Sequence, residues 1–156
     1  MQIRHAAKDD AAAIARILRE TGWFSGLEAE TSSQTEARIE QLLPDGPAIA
    51  HRSVYVAELE GEVVGYTAVH WLPYLFMTGP EGFVSELFVS TAARGQGAGR
   101  QLMAAIRTEA GQRGCTRLSL LNGRHRESYQ RQFYEGLGWE ERPFMANFVY
   151  YFEEGK

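Results

Sequence analysis

One segment of the sequence combines residue types whose spacing could bind phosphate groups. An apolar strand, predicted at residues 83–89, runs into a glycine-rich turn at residues 94–99, which opens directly into an amphipathic helix predicted at residues 100–113. The first amides of a helix lack partners within it and lie at its positive dipole end. Glycines allow the backbone to approach a ligand closely and to adopt positive φ. The pattern therefore predicts an anion-binding turn suited to phosphates, and a glycine turn without a ligand is the alternative.

Two common phosphate-binding signatures do not fit this turn. A Walker loop requires Gly-Lys followed by Ser or Thr, whereas Gly99 is followed by Arg100 and Gln101. The dinucleotide-binding fingerprint has glycine or alanine where this sequence has Arg100, and it belongs near the start of a βαβ unit rather than in the middle of a chain. A nucleotide-binding protein is therefore the weakest of the functional alternatives.

A third signature fits both the turn and the strand before it. The spacing Arg94-x-x-Gly97-x-Gly99 after the apolar strand resembles motif A of the GNAT superfamily of N-acetyltransferases, which use acetyl-CoA. The resemblance implies that the amides of the turn hold the pyrophosphate of coenzyme A and that the strand backbone pairs with the pantetheine arm. The residues expected to contact this cofactor are Leu87, Phe88, Val89, Arg94, Gly95, Gln96, Gly97, Ala98, Gly99 and Arg100.

A second motif lies downstream, at residues 131–139. Its sequence, RQFYEGLGW, is similar to the end of GNAT motif B, Phe-Tyr-x-x-x-Gly-Phe, with Trp139 in the last place. A helix, a strand and the start of a second helix separate the two motifs, as in the family. Many family members carry a cofactor-binding Asn at the position that is Glu127 here, so either Glu127 or the earlier Asn122 could supply this contact.

The resemblance also implies roles for two residues in acyl transfer, in which the amine loses a proton and the leaving thiolate gains one. Tyr134 is expected to be the general acid, and a core tyrosine is the alternative. Glu86 is expected to be the general base, acting through a water, and the alternative is a structural carboxylate with water alone taking the proton. No covalent intermediate is required, so Cys115 is expected to be structural.

Aromatic and acidic residues in two loops are expected to line the site of the acceptor amine. Aromatic rings together with carboxylates favour a cationic amine, although the rings could equally form a lid or a dimer contact. The expected lining residues are Trp23, Phe24, Glu28, Glu30, Trp71, Tyr74 and Phe76. His70 could join them or be a core or edge histidine, and Arg100, Arg124 and Arg126 could reach the 3′-phosphate of coenzyme A.

The pattern of elements predicts one mixed α/β (α+β) layered domain over residues 1–156. Strands are expected at residues 2–6, 53–59, 63–71, 83–89, 115–121 and 144–152. Helices are expected after an Asp9 cap, after a Ser33–Glu36 capping box, and at residues 100–113 and 127–137. The family resemblance implies the GNAT fold, a mostly antiparallel, splayed sheet of six or seven strands flanked by about four helices.

Composition is that of an ordinary globular protein. The 156 residues are 44% hydrophobic and 23% charged, with a net charge of -4. A single cysteine, no long apolar run and no signal peptide lead us to expect a cytoplasmic protein. No metal, nucleic acid or membrane is expected as a ligand or partner. Nine arginines at residues 90–142 suit an anionic ligand, and nine acids at residues 20–62 suit a cationic one. The alternative is that both sets lie on solvated helix faces. An aromatic C-terminal strand could pair two subunits into a homodimer.

These observations predict an enzyme that transfers an acetyl group from acetyl-CoA to a primary amine of a small, cationic molecule. By the resemblance, the amine attacks directly in a ternary complex. The alternatives are acetylation of a protein or peptide amine, and a non-catalytic module that binds acyl-CoA.

Overall fold

The computed structural model describes residues 1–44 and 50–152. These residues belong to two compact units, Met1–Leu121 and Asn122–Lys156. The elements of the first unit are β1 (Gln2–His5), α1 (Ala11–Thr21), α2 (Ser25–Glu28), α3 (Ser32–Leu42), β2 (Arg52–Leu59), β3 (Glu62–Leu72), β4 (Glu81–Val89), α4 (Ala98–Gln112) and β5 (Arg117–Leu120). The predicted mixed α/β class is confirmed. Within the described residues, no helix combines the length and apolar character needed to cross a membrane.

The five strands form one sheet in the order β1-β2-β3-β4-β5. The first three pairings are antiparallel and β4 pairs with β5 in parallel. Ala68 pairs with Glu86 while Val69 pairs with Val84, so Ser85 is an extra residue in β4. Such a bulge bends its strand and ends regular pairing. The pairing with β5 stops at Val84, so the sheet is splayed beyond this point.

The sheet buries a different set of side chains on each face. On one face, Val56, Tyr66 and Phe88 pack with Ile14 of α1 and Ile39 of α3. On the other face, side chains that include Ala57, Leu87 and Val89 pack with Ala98 and Leu102 of α4. Since side chains alternate along a strand, Glu86 shares the face of Phe88, and Leu87 shares the α4 face with Val89.

A buried polar network holds α4 against the sheet. The Glu109 carboxylate accepts hydrogen bonds from the Ser53 hydroxyl at 2.8 Å, the Tyr55 hydroxyl at 2.7 Å and the Arg113 guanidinium at 2.8 Å. The Trp71 indole N–H donates to Ser53 at 3.0 Å. Each polar group in this network has a partner, so its burial is compensated.

Two predicted helix starts are displaced in the structure. A 3₁₀ turn, Lys8–Asp10, precedes α1, and the carboxylate that accepts from a free amide is Asp10, which binds the Ala7 N–H at 2.8 Å, rather than Asp9. The capping box of α3 is formed by Thr31 and Gln34, two residues before the predicted pair, because the hydroxyl and amide that fit the cap geometry lie there.

The second unit departs most from the prediction. It contains α5 (Glu127–Gln130) and a 3₁₀ turn, Glu135–Leu137, in place of one helix over residues 127–137. Gln132 between them has φ 53°, a left-handed conformation that interrupts a right-handed helix. Residues 144–152 form no strand, and among the described residues none pairs with them in a ladder. The described residues therefore contain five strands, fewer than the six or seven predicted.

Candidate functional site

The glycine turn after β4 is open to solvent. Gly95 and Gly97 have φ of 78° and 85°, values that residues with a Cβ rarely adopt. A Cβ added at Gly95 would meet no atom within 4 Å, and one added at Gly97 would lie 3.9 Å from the Gln101 amide nitrogen. The side chains of the described residues therefore leave room for a ligand in front of this turn.

The turn ends in a row of unbonded amides. α4 begins at Ala98. The Gln101 amide donates a hydrogen bond at 3.0 Å to the carbonyl oxygen of Gly97, the residue just before the helix. Among residues 1–44 and 50–152, the structure shows no acceptor for the four amides before it, those of Gly97, Ala98, Gly99 and Arg100. These N–H groups lie at the positive end of a 15-residue helix. The arrangement fits the oxygens of a pyrophosphate, the group that the sequence predicts here.

The adjoining part of β4 has one unpaired edge. β3 pairs with β4 as far as Val89, whereas β5 pairs only with the stretch that ends at Val84. Residues 85–89 therefore have no strand partner on the β5 side within the described part of the chain. Such an edge can bind an extended chain that carries amides, in the manner of an added strand. The predicted contact stretch, Leu87 to Val89, lies on this edge.

Glu20 anchors the chain where it leaves β4. Its carboxylate accepts from the Ser90 hydroxyl at 3.1 Å and from the Thr91 amide at 3.4 Å. Glu20 lies in the last turn of α1, so this contact joins α1 to the start of the segment that leads into the glycine turn. The sequence alone does not reveal this role of Glu20, because no local pattern relates two residues 70 positions apart.

Three aromatic rings gather around Phe88, and we call these four rings together the aromatic cluster. The ring of Phe88 lies 5.6 Å from that of Trp23, 5.7 Å from that of Phe24 and 5.8 Å from that of Tyr66. Trp23 and Phe24 are 44% and 41% exposed, whereas Tyr66 is buried. The cluster thus offers a half-exposed aromatic surface on the face of the sheet that carries Glu86. Tyr66 was not among the predicted site residues, because its place depends on the register of two strands.

Glu86 is exposed and lies among polar groups of neighbouring elements. Tyr66 is 1% exposed, and its hydroxyl has no hydrogen-bond partner in the described residues. Burial, and then the nearby Glu86 carboxylate, raise the pKa of Tyr66 well above its ordinary value. Burial and Arg52 lower the pKa of His70 against a smaller opposing effect of Glu86, and the His70 Nε2 lies 3.1 Å from the Ser85 hydroxyl.

Several predicted acceptor residues lie apart from this cluster. Glu30 accepts from Arg38 at 2.9 Å and from the Thr35 hydroxyl at 3.0 Å, so its carboxylate serves the connection between α2 and α3. Trp71 is buried on the α4 face, with Arg113 4.8 Å above its ring. The remaining three are exposed or half-exposed: Glu28 in α2, and Tyr74 and Phe76, whose rings lie 5.3 Å apart in the loop after β3.

In the second unit, Tyr134 contacts two other rings. Its ring centroid lies 5.0 Å from that of Phe133 and 6.1 Å from that of Trp139. Burial raises the pKa of Tyr134 to about 12, so its hydroxyl keeps its proton at neutral pH. Asn122 accepts from the Ser128 hydroxyl at 3.1 Å.

Other candidate groups in the chain are already paired or unreactive. Arg124 forms an ion pair of 2.6 Å with Glu141. Burial raises the pKa of the Cys115 thiol, which disfavours the reactive thiolate. Among the described residues, no group of three or more His, Cys, Asp or Glu side chains could hold a metal ion.

The sheet is mostly antiparallel and splays at β4, and a glycine turn and a long helix follow that strand. This is the arrangement expected for the acetyltransferase family that the two sequence motifs resemble. The sequence model of the acetyltransferase (GNAT) family matches residues 17–139. The chain belongs to this family.

Individual relatives cover nearly the whole chain. It is 31% identical over 151 residues to the uncharacterized N-acetyltransferase YhfO of Bacillus subtilis (strain 168), covering 97% of this chain and 95% of that protein. A transcriptional regulator from Bacillus halodurans C-125 has a similar structure, with a TM-score of 0.79, 25% identity and coverage of 97% and 99%. The aminoglycoside acetyltransferase meta-AAC0020 from an uncultured soil metagenomic sample, solved in complex with sisomicin, has a TM-score of 0.75, 19% identity and coverage of 97% and 96%.

Proposed function

We propose that this protein is an acetyl-CoA-dependent N-acetyltransferase that acts on a primary amine of a small, cationic molecule. The observation that carries the proposal is the row of unbonded amides from Gly97 to Arg100 at the start of α4, which continues from the unpaired edge of β4. Membership of the acetyltransferase family supports the reaction class.

Acetyl-CoA supplies an acetyl group activated as a thioester. The amides of Gly97, Ala98, Gly99 and Arg100 would bind its pyrophosphate, and the backbone of residues 87–89 would bind its pantetheine amides. The Arg100 side chain is exposed and has no ion-pair partner within the described residues, whereas Arg124 is paired with Glu141. Arg100 is therefore our candidate for the 3′-phosphate.

Glu86 and Tyr134 would move the two protons of the reaction. The Glu86 carboxylate, which is exposed, would accept a proton from the amine through a water. The Tyr134 hydroxyl, which keeps its proton at neutral pH, would donate it to the departing thiol sulfur. The assignment of Tyr134 rests on its place in the second motif.

The aromatic cluster supports a cationic acceptor. Trp23 and Phe24 pack against Phe88, which shares a face of the sheet with Glu86, and rings together with a carboxylate attract an ammonium group. Glu28 is exposed in α2 nearby in sequence and could add a second negative charge. Trp71 is left out of this proposal, because it is buried on the α4 face. The aminoglycoside acetyltransferase of the same fold, solved with sisomicin, supports a test of polycationic amines first.

The test is thiol release from acetyl-CoA with sisomicin, spermidine, an alanine-initiated peptide or no amine, together with calorimetry of coenzyme A binding. We expect coenzyme A to bind and thiol release to depend on sisomicin or spermidine. Turnover with the peptide alone would show a peptide acetyltransferase instead. Coenzyme A binding without turnover on any amine would show a binding module. ATP that displaced coenzyme A with equal affinity would overturn the assignment of the turn.

A further inference from the structure

Tyr66 carries a polar group for which the fold supplies no partner. Its side chain is 1% exposed, and its hydroxyl has no hydrogen bond within the described residues. A buried hydroxyl without a partner costs free energy that a phenylalanine at the same place would avoid. The other buried hydroxyls of the sheet are bonded: that of Ser53 to Glu109, and that of Thr67 to the Glu86 carbonyl at 2.7 Å. The unpaired hydroxyl of Tyr66 is therefore a candidate for a functional role.

The strand register places Tyr66 and Glu86 on the same face of the sheet. Tyr66 lies opposite Phe88, and Ala68 lies opposite Glu86, so Tyr66 and Glu86 are diagonal neighbours on one face of an antiparallel pair. Diagonal neighbours lie within reach of each other when one side chain is long or aromatic. The Tyr66 ring centroid lies 5.8 Å from that of Phe88, and the exposed Glu86 carboxylate is near enough to raise the pKa of the Tyr66 hydroxyl.

We propose that Tyr66 is a positioning residue whose hydroxyl donates a hydrogen bond to the Glu86 carboxylate and holds it beside the aromatic cluster. The role of Glu86 as base rests on the proposed function. The hydrogen bond itself does not, since it depends only on the two side chains. The charge of Glu86 also acts on two other ionisable groups, Arg38 of α3 and His70 of β3, and favours the protonated form of each.

A hydrogen bond to a carboxylate favours its charged form, so losing the donor makes the carboxylate easier to protonate. In Tyr66→Phe, the Glu86 carboxyl should therefore titrate at higher pH than in the wild type, while Arg38 and His70 stay in place. Side-chain carboxyl NMR of ¹³C-labelled protein measures this titration, and Glu86→Gln identifies the resonance. The matched control is Tyr55→Phe, which removes a strand hydroxyl bonded to Glu109 on the α4 face and should leave the Glu86 titration unchanged.

Stability and turnover provide two further readouts. Tyr66→Phe should have a lower Tm, because a hydrogen bond to the Glu86 carboxylate is lost, and Tyr55→Phe should also have a lower one, through the lost bond to Glu109. With whichever of sisomicin or spermidine is the better acceptor, Tyr66→Phe should lower kcat about tenfold, leave coenzyme A affinity unchanged and move the acidic limb of the pH profile to higher pH. In a Glu86→Gln background it should cause no further loss of kcat.

The outcomes separate this proposal from the proposed function. A Glu86 titration that is the same in the wild type and in Tyr66→Phe would overturn the role of Tyr66. So would an equal loss of kcat from Tyr66→Phe with and without Glu86. A shifted titration in a protein that acetylates no amine would support the Tyr66–Glu86 hydrogen bond and refute the enzymatic function alone.

Discussion

The Ser90 hydroxyl donates a hydrogen bond to the Glu20 carboxylate at 3.1 Å, and this contact ties the end of α1 to the segment that follows β4. A 3₁₀ turn, Thr91–Ala93, comes next and leads to the glycine turn. The position of the unbonded amides at the start of α4 therefore depends in part on a residue of α1.

Ser90→Ala should weaken coenzyme A binding about three- to tenfold, because one hydrogen bond to a charged group is lost and the turn gains freedom. Calorimetry measures the change. Thr108→Ala is the control, since its hydroxyl binds only the Ala104 carbonyl on the exposed side of α4. Equal affinities in the wild type and Ser90→Ala would show that the turn keeps its place without Glu20.

Gly97→Glu should abolish coenzyme A binding. The new side chain would occupy the open space in front of the turn, and its carboxylate would repel phosphate. Gly61→Glu is a matched control, since Gly61 has φ 84° and open space as well, but lies in the turn between β2 and β3. Both variants should lose about 1 kcal/mol of stability from the left-handed backbone, and only Gly97→Glu should lose binding. Unchanged affinity in Gly97→Glu would refute the assignment of the turn.

Trp23→Ala and Phe24→Ala should raise the KM of the acceptor about three- to tenfold, which is the range expected for losing a partly exposed cation–π contact. Coenzyme A affinity should stay the same. Leu42→Ala removes a half-exposed side chain from the end of α3 and serves as the control in the same steady-state assay. If neither aromatic variant changes the KM, the acceptor does not bind at the aromatic cluster.

Features that depend on residues close together in the sequence could be predicted from it. The strand, turn and helix around residues 94–99 follow from local apolar periodicity and glycine spacing. The orphan hydroxyl of Tyr66 could not be predicted, because it results from the pairing of β3 with β4. The burial of Trp71 against α4 could not be predicted either, because it depends on which face of the sheet packs against that helix.

In the C-terminal segment, the local sequence predicts an element that the structure lacks. Alternating aromatic residues at 144–152 predict a strand, and yet the segment forms none and exposes side chains such as Phe148 and Tyr150. β-propensity describes how well a side chain fits a pleated, half-buried surface. Among the described residues no strand pairs with this segment, and propensity alone does not produce a strand.

Tyr134→Phe should lower kcat about a hundredfold, within the range for loss of a general acid, and leave coenzyme A affinity unchanged. Tyr129→Phe is the control, since its hydroxyl donates to Glu141 at 2.8 Å within the same unit. Single-turnover thiol release separates chemistry from product release. An unchanged single-turnover rate in Tyr134→Phe would remove Tyr134 from the reaction.

Glu109→Gln tests how the stability of the sheet and α4 depends on pH. Burial raises the pKa of Glu109, but hydrogen bonds from Tyr55, Ser53 and Arg113 outweigh it, so the pKa lies below the ordinary value of 4.5. A carboxyl whose pKa is lowered by folding stabilises the protein above its unfolded pKa, and this contribution is lost as the pH falls through the folded value. The amide keeps the shape of the side chain and removes its charge.

At neutral pH, Glu109→Gln should reduce the free energy of unfolding by about 2 kcal/mol, the scale of hydrogen bonds to a charged group. Urea unfolding between about pH 7 and about pH 3 measures the difference from the wild type, which should shrink as the pH falls below the ordinary pKa of a glutamate. Glu135→Gln, at an exposed position of the second unit, should show a negligible difference throughout. A difference between the wild type and Glu109→Gln that stays constant down to acid pH would mean that the network stabilises the fold through packing rather than through the charge of Glu109.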